Sequence, residues 1–163
     1  MKTPMDSTHH QHLSWLNDQV ALTYTDGCLN VFRLEEDDAD VDPVQLPVQS
    51  ATVTAISPHP DGQEAFLQLS SGSVVKFSLK DMAISSHFQS QLPKTCVKME
   101  VACHDSDTAL IRLSAKNRLY VNQTEVLNGA SSFFVHSDFL LVTTIQHELK
   151  SLPLAAVFQA GFI

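Results

Sequence analysis

A chain of 163 residues is one domain's length and can bury a real core. Its net charge of −8 lacks the basic excess that a nucleic-acid surface uses to replace condensed counterions, so no direct nucleic-acid contact is expected from this segment. No apolar run approaches the roughly 18 residues a membrane helix needs, so no membrane partner is expected, and the cysteines Cys28, Cys96 and Cys103, with no apolar leader ahead of them, fit free thiols in a reducing compartment.

Residues 1–12 are polar and His-rich and read as a flexible lead. His9, His10 and His12 have the spacing of metal ligands, but no fourth ligand in an ordered scaffold joins them, so neither a metal nor a cofactor is expected. Val20-Ala21-Leu22-Thr23-Tyr24 then reads as a strand, Thr25-Asp26-Gly27 as a turn, and Leu29, Val31 and Leu34 alternate after it. Trp15, just ahead, reads as core, the usual use of an aromatic ring on a strand.

Residues 35–47 read as a solvated, mobile loop carrying the strongest charge run of the chain. Its carboxylates suggest calcium, but the Gly and Glu positions of an EF-hand loop are not present. Glu35, Glu36, Asp37, Asp38, Asp40 and Asp42 are therefore the candidate partner-binding residues, suited to a basic surface.

Residues 53–79 run strand, turn, strand, turn, strand. Pro58, Pro60 and Asp61-Gly62 supply the first turn and Ser71-Gly72 the second. His59 sits in the turn with no oriented partner in view, which leaves it without proton chemistry. A polar loop and an outer strand with His87 and Phe88 follow, and Pro93 closes them. Cys96 to Cys103 alternates, His104–Asp107 turns, Ala109–Leu113 and Arg118–Val121 are strands around the Lys116-Asn117 turn. Cys96, Cys103 and His104 match no zinc spacing, and the two thiols read as small core filling. Asn122-Gln123-Thr124 has the form of a glycosylation acceptor, unused in a reducing compartment. Ser132–Val135, Phe139–Thr144 and Glu148–Leu152 are the last strands; the middle one is apolar on both faces, as between two packed sheets. Residues 155–163 form an apolar tail without alternation.

These units repeat. Ala21, Ala65 and Ala109 mark strands about 44 residues apart, a propeller-blade period. Thr25-Asp26-Gly27-Cys28-Leu29-Asn30-Val31-Phe32 repeats the stretch from Ser71 to Phe77, and Phe139–Thr144 is a further copy. The expected fold is all-β: a partial WD40-like β-propeller of about three to four antiparallel blades over residues 13–154, between the lead and the tail. The turn signatures resemble WD40-type repeats, although Phe32 and Phe77 stand where the Trp of the terminal Trp-Asp pair would be.

From Arg118 to Ile163 the order Arg118-Leu119-Tyr120-Val121-Asn122, Ser131–His136, Asp138–Thr144 and Gln159-Ala160-Gly161 resembles the large scaffold subunit of the Elongator complex, the IKAP-type family. The resemblance implies part of an N-terminal propeller in a longer protein, in a cytoplasmic and also nuclear complex that modifies tRNA wobble uridines. It implies the other Elongator subunits as partners and a homodimer formed through the parent protein. Catalysis in that family belongs to another subunit, so the resemblance implies a non-enzymatic scaffold with no catalytic residue in this chain. An unrelated propeller adaptor for peptides or proteins is the alternative. An enzyme would need a converging nucleophile, base and orienter, or paired carboxylates, and no such motif is present.

Overall fold

A computed structural model of the chain describes residues 11–25, 27–34, 39–46, 52–88, 93 and 96–161. The chain divides into two compact units, Met1–Gln89 and Ser90–Ile163.

In the first unit, β1 (Gln11–Asn17), β2 (Val20–Thr25), β3 (Cys28–Leu34) and β4 (Ala39–Gln45) form one antiparallel sheet in chain order. β5 (Val53–Pro58), β6 (Glu64–Leu69), β7 (Val74–Ser78) and β8 (Ala83–Phe88) form a second in the same way. Each sheet is a four-stranded meander of the kind that makes a propeller blade. Neither could persist with both faces wet. Leu22, Leu29 and Val31 of the first sheet share one core with Val53, Leu67, Val75 and Phe77 of the second. Strand alternation delivers every second side chain to that core. The turns close as their residues dictate: Gly62 at φ 72° donates its N–H to the His59 carbonyl at 3.0 Å, and Gly72 at φ 94° donates to that of Leu69 at 2.9 Å.

The second unit holds β9 (Cys96–His104), β10 (Asp107–Ser114), β11 (Arg118–Val121) and β12 (Thr124–Asn128) in one meander. A three-stranded sheet follows, of β13 (Ala130–His136), β14 (Phe139–Thr144) and β15 (Leu149–Pro153), then a helix, α1 (Leu154–Gly161). Asn and Asp replace Gly in several turns here: Asp105, Asn117 and Asn122 have φ of 54°, 64° and 55°. Ile111, Leu119, Phe133, Leu140 and Val142 form its core. Leu154, Val157 and Phe158 of α1 close it, three positions at i, i+3 and i+4 on one helix face. The apolar tail thus packs as a helix, with Pro153 ending the strand ahead of it and the Leu154 N–H bonded to the Asp138 carbonyl at 2.8 Å.

Ala21, Ala65 and Ala109 all lie on the second strand of a four-stranded sheet, β2, β6 and β10. Their faces differ. Ala65 joins the core shared with the preceding sheet, Ala109 the core shared with the following one. Both faces of β10 are buried, so its run Ala109-Leu110-Ile111 carries no alternation to fix which side faces which neighbour.

Three strands depart from the sequence expectation. The stretch expected as a loop over residues 35–47 contains strand β4, paired with β3 from Cys28↔Gln45 to Leu34↔Ala39. Charge and a proline hid it, and both are tolerated on an edge strand. Phe139–Thr144 is not covered on both faces: Leu140 and Val142 are buried, while Phe139 and Thr143 are exposed. Trp15 is not core; it pairs with Ala21 in register yet is 55% exposed.

Candidate partner interface

β4 is the outermost strand of its sheet. The Leu46 N–H bonds the Gly27 carbonyl at 3.0 Å, which fixes the antiparallel ladder: Asp40, Asp42 and Val44 turn their backbone groups toward β3, Val41, Pro43 and Gln45 away from it. Pro43 therefore sits where a missing N–H costs no ladder bond. Of the candidate partner residues, Asp40 and Asp42 stand two positions apart on this strand. Asp42 is engaged within the chain: Arg33 Nε donates to Asp42 Oδ2 at 3.2 Å, and Arg33 Nη2 to Met82 Sδ at 3.2 Å. Glu35, Glu36, Asp37 and Asp38 lie outside the described residues, as do His9 and His10.

His59 does have an oriented partner. Its Nδ1 accepts from the Asp61 N–H at 3.1 Å and lies 3.1 Å from Asp61 Oδ1. His59, Asp61 and Glu64 bring one donor atom each within 4.8 Å of one another, a grouping with metal-ligand chemistry. Each donor already has structural work. Asp61 Oδ1 accepts from the Gln63 N–H at 2.8 Å, and Glu64 Oε2 meets Lys76 Nζ across the ladder at 3.2 Å. The same turn fastens the two sheets of its unit, since Asn17 Nδ2 donates to the Gly62 carbonyl at 2.8 Å. A Cβ on Gly62 would lie 3.1 Å from Asn17 Cβ, so the turn fits the fastener closely.

A second cluster joins β9 to β13. Lys98 Nζ donates to the Phe133 carbonyl, lies 4.8 Å from the Phe133 ring centroid and 5.5 Å from that of Phe134, and approaches Glu100 Oε2 at 3.8 Å. Phe134 is exposed and stacks on His136. Burial raises the Glu100 carboxyl above its ordinary range, with Lys98 opposing the shift. Folding thus favours protonated Glu100, and this group's contribution to stability falls as pH rises from the ordinary carboxylate range through its raised value. Sequence reading missed the cluster because Lys98 and Glu100 look like solvent-facing charges on an alternating strand.

On the other face of that sheet, Arg112 is fully buried and stands in register with Met99 and Tyr120. Its Nη2 donates to the Asn122 carbonyl at 2.8 Å. Desolvation lowers its pKa, against the raising effect of Cys96 and Tyr120. Burial pushes the Cys96 thiol up to about 11, with Arg112 pulling it down. Cys103 is exposed rather than core filling, and its sulfur lies 3.9 Å from Thr108 Oγ1. At pH 8 iodoacetamide is expected to alkylate the exposed Cys103 well before Cys96, because the thiolate is the nucleophile and, with its pKa pushed up to about 11, little of Cys96 is ionised. Peptide mass mapping over time checks this; equal rates would contradict it.

Clefts of about 270 Å³ beside Gly129 and Ile145, 340 Å³ beside His104 and Phe158, and 470 Å³ beside Trp15 and Asp18 lie within single units. None of the three is lined by Cys96, Glu100 or Arg112, the groups with shifted titration. Among the described residues no helix is long and apolar enough to cross a membrane. What the arrangement offers is surface: sheet edges, turns and an acidic outer strand.

The family described as "ELP1 N-terminal second beta-propeller" matches residues 2–161. Elongator complex protein 1 of Mus musculus is 25% identical over 161 residues, covering 88% of this chain and 12% of the relative. That of Schizosaccharomyces pombe is 26% identical over 161 residues, covering 96% and 13%, and that of Oryctolagus cuniculus is 30% identical over 88 residues, covering 50% and 7%. This chain therefore spans about an eighth or less of the length of these relatives. Among solved structures the C-terminal WD40 domain of Sif2 superposes with a TM-score of 0.58 at 10% identity, over 90% of this chain and 50% of that one, a likeness of fold. The sheets are blades of a partial WD40-like β-propeller, and the chain belongs to the ELP1 N-terminal second β-propeller family.

Proposed function

We propose that this chain is a non-catalytic scaffold segment of the Elongator complex, which modifies wobble uridines of tRNA, and that it works in the cytoplasm and the nucleus alongside the other Elongator subunits. The family match over residues 2–161 carries this reading. The architecture supports it: a propeller supplies rigid edges and turns on which subunits dock. The acidic run Glu35, Glu36, Asp37, Asp38, Asp40 and Asp42 offers a basic partner surface its electrostatic complement, and with Asp42 drawn to Arg33 the contact falls mainly to the other five.

The test is co-purification of tagged 1–163 chain with the other Elongator subunits, for the native sequence and for a variant with Glu35, Glu36, Asp37 and Asp38 all changed to Lys. Recovery of the subunits by the native chain is expected, with a several-fold loss for the variant that shrinks as salt is raised. Equal recovery at every salt concentration would remove the acidic segment from the interface. Recovery of unrelated proteins and no Elongator subunit would favour a peptide-binding adaptor instead.

A further inference from the structure

β15 ends the three-stranded sheet and, among the described residues, pairs with β14 alone. Two printed bonds bracket this ladder: the Thr144 N–H to the Glu148 carbonyl at 2.9 Å, and the Leu154 N–H to the Asp138 carbonyl at 2.8 Å. Between them the register runs unbroken, so Lys150 and Leu152 spend their backbone groups on β14. Leu149, Ser151 and Pro153 point theirs outward. Leu149 is 70% exposed, and Ser151 and Pro153 are exposed too.

This edge differs from that of β4. There, acidic residues and a proline at the middle outward position discourage pairing. On β15 the proline stands last, and two outward N–H groups precede it.

The set is also self-complementary. Two antiparallel copies of β15 centred on Ser151 place each Ser151 N–H against the other copy's Ser151 carbonyl. Each Leu149 N–H then meets the other copy's Pro153 carbonyl, so every outward donor has an acceptor; the Leu149 carbonyl, which faces the proline nitrogen, is left to solvent at the end of the ladder. In this register Lys150 stands opposite Leu152 of the second copy, and no like charges face each other. We propose that β15 is a homotypic docking edge: a second copy of this chain adds its own β15 antiparallel to it, centred on Ser151. So short an edge buries little surface, and the affinity belongs with weak, transient contacts, with a Kd of about 10–100 μM.

Sedimentation of the 163-residue chain across that concentration range tests it, together with amide exchange at Ser151 followed by NMR. The expected result is a rise toward twice the monomer mass and roughly tenfold greater protection of the Ser151 amide at the high end. Ser151→Pro, which deletes an outward donor, and Leu149→Lys, which charges the edge, are both expected to stay monomeric with unchanged far-UV circular dichroism. Should Ser151→Pro fail to fold, Leu149→Lys alone decides. A monomer at every concentration overturns the proposal, whether its Ser151 amide exchanges fast or is protected independently of concentration, the latter meaning that other parts of the chain cover the edge. Dimerisation that Leu149→Lys leaves intact overturns it as well.

Discussion

Phe77→Ala is expected to lower the unfolding free energy by about 3–5 kcal/mol, the range for emptying a fully buried aromatic site. Phe77 is completely buried at the junction of the first two sheets. It pairs with Ala65 on one side and Ile84 on the other. The small Ala65 leaves room beside the ring, and the truncated side chain would leave a cavity that the two sheet backbones are too stiff to close. The midpoint of thermal unfolding should fall by about 10 °C. Phe32 holds the corresponding place opposite Ala21 but is only half-buried. Phe32→Ala should therefore cost clearly less. Equal losses for the two variants in parallel thermal melts would mean that the two sheets do not share their core as described.

Arg112→Ala has the second largest expected effect, a loss of about 2–4 kcal/mol. The side chain is fully buried on the face of β10 away from Ile111 and Leu113, and it holds the Asn122 carbonyl at 2.8 Å. Truncation removes a long packed stem and strips a partner from a part-buried carbonyl in the β11–β12 turn. Arg112→Met keeps most of the volume and sheds the cost of a desolvated cation, so it should recover at least half of the loss. Chemical denaturation of the three proteins separates packing from charge. If Met is as damaging as Ala, the guanidinium rather than its stem holds the region together.

The same residues show what could be read from the sequence. The strand-turn-strand rhythm was legible because Asp61-Gly62, Ser71-Gly72 and Lys116-Asn117 name their turns chemically, and because Leu67, Val75 and Phe77 alternate or cluster as strands do. β4 was not legible. Its acidic residues and Pro43 are loop-like in composition, and only the register against β3 shows that an outer edge accepts them. The burial of Arg112 was not legible for a related reason. A cation inside Ala109-Leu110-Ile111-Arg112-Leu113 suggests a wet face, and its burial depends on what covers the strand rather than on the strand itself. α1 was legible only as an apolar end, since eight residues hold too few turns for periodicity to declare itself. The candidate site was legible as charge but not as geometry. Asp42 turned out to serve Arg33, and the His59 turn proved to be a fastener with its own partners.

Residue-resolved amide exchange of the intact chain bears most directly on the stacking of blade sheets. Each sheet shields its inner strands with its outer ones, so the slowest amides should fall on β2 and β3, β6 and β7, β10 and β11, and β14, returning about every 44 residues from β2 through β6 to β10 and sooner at β14, with β4, β8 and β12 exchanging faster on their outward positions. Slow amides gathered in one unbroken stretch, or spread without regard to strand position, would contradict a fold built from repeated meanders that cover one another.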